Sequence, residues 1–94
     1  MNQNIISRIG ILKVYQNGII VSRVIFLRLK ELRRARRITQ LKLAMDLNMA
    51  QNTISRYESG EREPGIAELI LIADYFNISV DYLLGRTDNP QLNR

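Results

Sequence analysis

Two spacings of apolar residues divide the chain. Through residue 24 the apolar positions are bunched and β-branched: Ile11-Leu12-Lys13-Val14-Tyr15-Gln16 and Ile19-Ile20-Val21-Ser22-Arg23-Val24 flank Asn17-Gly18. Asn-Gly between two such runs predicts a β-hairpin, because both residues tolerate the positive φ of a type I′ turn. Pairing across the turn would put Leu12, Val14, Ile19 and Val21 on one face, and Ile11, Tyr15, Ile20 and Val24 on the other. A lone hairpin is marginal in water, so it would have to dock on another element or another chain. A dimerisation arm and a loosely ordered extension are equally weighted readings of residues 1–24.

From Ile25 the spacing becomes helical. Ile25, Leu29 and Leu32 recur at i, i+4 and i+7, and Ile38 closes this first segment. Thr39 is an N-cap for a second helix that buries Leu43, Ala44 and Leu47 and stops at Asn48. Met49 packs inward. A third helix, Ala50 to Ser59, buries Ile54 and Tyr57 and stops at Gly60. After the loop Glu61–Gly65, residues Ile66, Leu69, Ile72, Ala73 and Phe76 share one face of a fourth helix. Asn77 ends it, and Ser79 caps a short fifth helix ending at Gly85. Residues 87–94 read as a flexible tail.

Composition narrows the function. The 94 residues allow one small domain, and neither cysteine nor histidine is present. That excludes disulfides and thiolate metal sites, and it removes the commonest general base and zinc ligand. No enzyme, metal or cofactor is expected, and a reducing, cytoplasmic setting suits the chain. The apolar N-terminal stretch is broken by Arg8, Lys13 and Arg23, short of the roughly 18–20 uncharged residues a membrane span needs. Net charge is +5 and unevenly spread: residues 1–47 hold ten Lys/Arg and two acids, residues 48–94 four and seven. A concentrated basic stripe is the footprint of a polyanion partner, but taken alone it is more often a solvated helix face.

On the third helix, Gln51, Asn52, Ser55 and Arg56 lie on one outward side. Amides bond adenine bidentately, arginine does the same with guanine, and hydroxyls serve base or phosphate. A short helix, a tight turn and this polar face, flanked by basic residues, point to reading of double-stranded DNA in the major groove. Arg28, Arg34, Arg36, Arg37, Lys42 and Arg62 are the candidate phosphate neighbours.

Specific strings carry a family resemblance: Leu32-Arg33, Ile38-Thr39-Gln40, Leu43-Ala44, Thr53-Ile54-Ser55-Arg56-Tyr57-Glu58-Ser59-Gly60, Arg62-Glu63-Pro64 and Val80-Asp81-Tyr82-Leu83-Leu84-Gly85-Arg86. Over residues 25–86 the chain resembles the helix-turn-helix domain of phage lambda-type repressors, Cro and bacterial Xre-type regulators. The resemblance implies an all-α, five-helix bundle that binds operator DNA, usually as a dimer. It implies that Gln40 bonds a phosphate and buttresses the recognition helix. Gln51, Asn52 and Arg56 would read bases, with Ser55 a weaker candidate, and Thr53, Ser59 and Arg62 would contact the backbone. Arg33 would pair with Glu58 and lock the helix angle.

Three positions depart from the family pattern. Arg37 replaces the usual glycine, straining that helix end by up to about 1 kcal/mol. Ala50 replaces a Ser or Thr cap, losing roughly 1 kcal/mol and leaving the recognition helix frayed when free. Leu71 stands where lysine is frequent; with Ile70, Tyr75, Tyr82 and Leu84 it suggests an exposed homodimer patch, unless the N-terminal segment covers it. The expected function is repression by a dimer on a pseudo-palindromic operator. The alternative is an antitoxin-like or accessory module whose main partner is another protein. No ligand-sensing domain is expected, since nothing of domain size follows Gly85.

Overall fold

The computed structural model describes residues 18–91. Among the described residues five helices follow in order: α1 Gly18–Ala35, α2 Gln40–Leu47, α3 Gln51–Ser59, α4 Ile66–Phe76 and α5 Val80–Leu84. There is no strand among the described residues. The expected second hairpin strand, Ile19–Val24, is therefore corrected: it is the opening of α1. Val24 and Ile25 show why, since both are buried, at 2% and 1% exposure. Consecutive strand residues point to opposite faces, whereas a helix can turn two neighbours toward one core. The expected first strand, Ile11–Gln16, and Asn17 of the turn lie outside the described residues.

The core takes Ile25 and Leu29 from α1, Leu43, Ala44 and Leu47 from α2, and Ile54 and Tyr57 from α3. Leu69, Ile72, Ala73 and Phe76 of α4, then Ile78 and Leu83, complete it. Helix α1 packs on α3 and α5, α2 on α3, and α4 on α5 and α2. Ile66, expected on the inner face of α4, is 78% exposed. It has the right helical phase but stands on the first residue of the helix, a turn short of the packed core.

All five helices end alike. A residue in the left-handed conformation follows each: Arg37, Asn48, Gly60, Asn77 and Gly85, with φ between 57° and 83°. Two backbone bonds then close each end, as in Met49 N–H to Ala44 C=O (2.8 Å) and Asn48 N–H to Met45 C=O (3.2 Å). This Schellman arrangement satisfies carbonyls that the helix leaves open. The hydrophobic residues that come next, Ile38, Met49 and Ile78, fold back onto the core.

Arg28 ties α1 to the end of the chain. It donates to the carbonyls of Tyr82 (2.6 Å) and Thr87 (2.7 Å) and to the Asp88 carboxylate (2.8 Å). Its guanidinium also lies 4.1 Å from the Tyr82 ring centroid. With Ser79 N–H bonded to Pro90 C=O, residues 87–91, expected as free tail, are fastened to the body.

Candidate nucleic-acid interface

The site is built around one buried carboxylate. Glu58, on the inner side of α3, is 2% exposed. Arg33 grips it with two bonds, Nε to Oε2 at 2.6 Å and Nη2 to Oε1 at 3.0 Å. Gln40 Nε2 adds a third bond to Oε1 at 3.1 Å. Arg33 Nη1 also donates to Ile38 C=O at 2.8 Å. One point therefore joins α1, the α1–α2 turn, the start of α2 and the end of α3. A buried ion pair adds little net stability over an apolar substitute, but removing one partner strands the other and costs about 3–5 kcal/mol. The pair ties the end of α3 to α1.

With Glu58, Ile54 and Tyr57 facing inward, α3 turns its other side to solvent. Gln51, Asn52 and Arg56 are exposed, and Ser55 and Thr53 half-buried. At 100° per residue, positions 51, 52, 55 and 56 span an arc of about 140°. Arg56 forms no ion pair with a described carboxylate. Burial pushes the Tyr57 phenol up from its ordinary value. Ser59 sits at the other end, where its hydroxyl donates to Arg56 C=O at 3.1 Å. That bond supports the helix terminus and engages the hydroxyl's one donor.

The two helix starts differ. Thr39 Oγ1 accepts Lys42 N–H at 3.0 Å and caps α2. Ala50 precedes α3 in extended conformation with no side-chain cap bond. Its carbonyl accepts Thr53 and Ile54 N–H, while the amides of Gln51 and Asn52 receive no cap. No acidic residue stands in the first turn of α2 or α3.

The six basic candidates divide. Arg28 is spent on α5 and the terminal segment. Arg36 donates to Tyr75 C=O at 3.1 Å and lies over the rings of Tyr75 and Phe76. Both hold the bundle together. Lys42 pairs with Asp46 one turn on, at 3.0 Å, and Tyr75 Oη donates to the same carboxylate at 2.6 Å. The Tyr75 bond first, then Lys42, holds the Asp46 carboxyl below its ordinary value. An exposed i,i+4 pair is weak, so Lys42 is readily released to another anion. Arg34, Arg37 and Arg62 are exposed and form no ion pair with a described carboxylate.

Of the five residues grouped as a dimer patch, Ile70 and Leu71 are exposed, each at 48%. Tyr75, Tyr82 and Leu84 are partly buried against the core instead. The duties of Arg28, Arg36 and Tyr75 had no sequence signature, because their partners lie 29 to 60 residues away. Among the described residues no group of three or more His, Cys, Asp or Glu could hold a metal ion, and no helix is long and apolar enough to cross a membrane.

Comparison with known proteins places this arrangement. A family model described as helix-turn-helix matches residues 29–83. The chain is 36% identical over 63 residues to an uncharacterized HTH-type transcriptional regulator, YobD, of Bacillus subtilis, covering 67% of this chain and 56% of that protein. It is 38% identical over 66 residues to the HTH-type transcriptional regulator ImmR of the same organism, covering 70% and 52%. It is 39% identical over 66 residues to the cryptic phage CTXphi transcriptional repressor RstR of Vibrio cholerae, covering 68% and 59%. The matches thus span little more than half the length of these relatives. No solved structure matches the chain.

Proposed function

The chain belongs to the helix-turn-helix family of lambda-repressor-like, Xre-type proteins, and on that basis we propose that it is a sequence-specific regulator of transcription that binds double-stranded DNA. One observation carries the reading. Helix α3 is locked from behind by the Arg33–Glu58–Gln40 cluster while Gln51, Asn52 and Arg56 point outward without a described partner. Such a helix is anchored on its inner side yet has its outward hydrogen-bonding capacity unspent.

In this reading Gln51, Asn52 and Arg56 reach base edges, with Ser55 in support. Gln40, Thr53 and Arg62 contact the sugar–phosphate backbone together with Lys42 and Arg37, and Ser59 contributes least. A homodimer sets two α3 helices about 34 Å apart in successive major grooves of a pseudo-palindrome. Ile70 and Leu71 of α4 are the apolar residues available to join the copies. Bound at an operator, the dimer excludes RNA polymerase and represses. The partner suits a cytoplasmic protein, and the proposed action contains no enzymatic step.

Selection from a random duplex pool, followed by binding over a salt series, tests this. With Arg28 and Arg36 engaged in the fold, Arg34, Arg37, Lys42 and Arg62 remain as phosphate contacts. Four per subunit give a slope of log K against log[salt] near −7 for a dimer, at about −0.9 per contact. An enriched two-fold motif with a steep slope is expected. A flat salt response, or a stable dimer indifferent to duplex, rejects the proposal and favours a protein partner.

A further inference from the structure

The five helix ends share one geometry, but one of them is built from an ill-suited residue. Gly60 and Gly85 carry no Cβ, and asparagine, at 48 and 77, can bond local backbone in the left-handed region. Arg37 has neither advantage, yet its φ is 58°. The two backbone bonds that close α1, Arg37 N–H to Arg34 C=O at 2.9 Å and Ile38 N–H to Arg33 C=O at 3.3 Å, hold the strained turn, and no hydrogen bond or ion pair of the Arg37 side chain with a described residue adds to them. The Arg37 side chain is exposed and meets no described carboxylate. Its neighbours differ, for Arg33 is bound to Glu58 and Arg36 to Tyr75. A glycine or asparagine would close α1 equally well with less strain.

The location of Arg37 gives its charge a use. Arg33 bonds Ile38 C=O and Glu58 at once, and Gln40 bonds Glu58 too. The backbone on both sides of Arg37 is thus held in register with α3. A cation carried there stands at a set offset from the outward side chains of that helix. With no acid in the first turn of α2 or α3, no carboxylate of those turns opposes an approaching anion.

From these observations we infer that Arg37 is a phosphate-binding, register-setting residue: the α1–α2 turn grips one DNA backbone phosphate while α3 lies in the groove, and this contact offsets the strain of the turn. The inference rests on the DNA-binding reading above. Its distinct content is a conflict at a single position, where affinity is held at the expense of stability.

The full chain, unchanged and as Arg37→Gly, Arg37→Asn and Arg37→Lys, is melted without DNA and titrated with a mixed-sequence duplex over a salt series. Gly and Asn are expected to raise Tm by roughly 4–8 °C. The same two variants should bind several-fold more weakly, with a slope shallower by about 0.9 per subunit. Lys keeps both the charge and the strain, so it should hold the slope near its original value with Tm little changed. The motif enriched from a random pool should stay the same in all four, since a phosphate contact carries no base information. Unchanged affinity and slope in Arg37→Gly and Arg37→Asn would overturn the inference while leaving the DNA reading intact. A fall in Tm in both would overturn it as well, making Arg37 a support of the fold. Failure of the unchanged chain to bind any duplex would overturn both.

Discussion

Helices α2 and α3 are nearly equal in length, at 8 and 9 residues, and end in the same motif, but they dispose of their polar groups in opposite ways. Helix α2 is completed by the protein itself. Thr39 caps its start, and its outward charges are used on each other and on α4, through Lys42, Asp46 and Tyr75. Helix α3 is completed only on its inner side, where Glu58 takes bonds from Arg33 and Gln40. Its start is uncapped, and Gln51, Asn52 and Arg56 face solvent. A helix whose outward charges are already paired offers a ligand only an exchange of partners, as at Lys42. One that is anchored inwardly and open outwardly can exchange water for base edges at small cost in reorganisation.

The contrast can be broken most severely from the inside. Glu58→Ala leaves Arg33 and Gln40 facing an empty pocket and should lower unfolding free energy by about 3–5 kcal/mol in urea titration. A loss under about 1 kcal/mol would show that α3 is held by apolar packing alone. Arg56→Ala attacks the outer side. Stability should stay within about 0.5 kcal/mol, while discrimination at one base pair per half-site drops by about 1–3 kcal/mol. Equal weakening on every sequence would make Arg56 a phosphate contact instead.

The helix starts give a paired test with opposite signs. Thr39→Ala should destabilise, and Ala50→Ser stabilise, each by about 1 kcal/mol in thermal melts. Hydrogen exchange sharpens the second half. The Gln51–Thr53 amides should exchange fast in the free chain, and slowly either with DNA bound or in the Ala50→Ser variant. Equal protection in all three would remove the distinction between the two starts.

The smallest effect concerns the outer face of α2. Because Tyr75 and then Lys42 depress the Asp46 carboxyl, their stabilisation is present above the ordinary value of 3.8 and is lost as pH falls below it, through the lower folded value. Tyr75→Phe removes the leading cause, so the Asp46 carboxyl resonance should titrate closer to 3.8. An unmoved titration would mean that Lys42 alone sets it.

Much of this architecture was legible because its causes are local. Thr39, Asn48, Gly60, Ser79 and Gly85 each act on backbone within five residues, so the ends of α2 to α5 could be placed from neighbours alone. The outward face of α3 was legible for a similar reason, since Ile54 and Tyr57 at helical spacing leave Gln51, Asn52 and Arg56 on the other side. The start of α1 was not. Ile19–Val24 is β-branched and follows Asn-Gly, and short apolar runs suit strand and helix alike until something packs on them. The core that receives Val24 and Ile25 decided the matter.

Charge allocation was likewise beyond the sequence. Arg28, Arg34, Arg36 and Arg37 are chemically equivalent in a string of letters. In the fold Arg28 reaches Tyr82, Thr87 and Asp88, and Arg36 reaches Tyr75, while Arg34 and Arg37 remain exposed. Residue order alone was enough for helices α2 to α5, their ends and the polar face of α3, because these depend on propensity, periodicity and caps within a turn or two. Which cations are spent on the protein and which remain for an anion was settled by folding, because that depends on which distant carbonyls and carboxylates come within about 3 Å and which rings within about 6 Å.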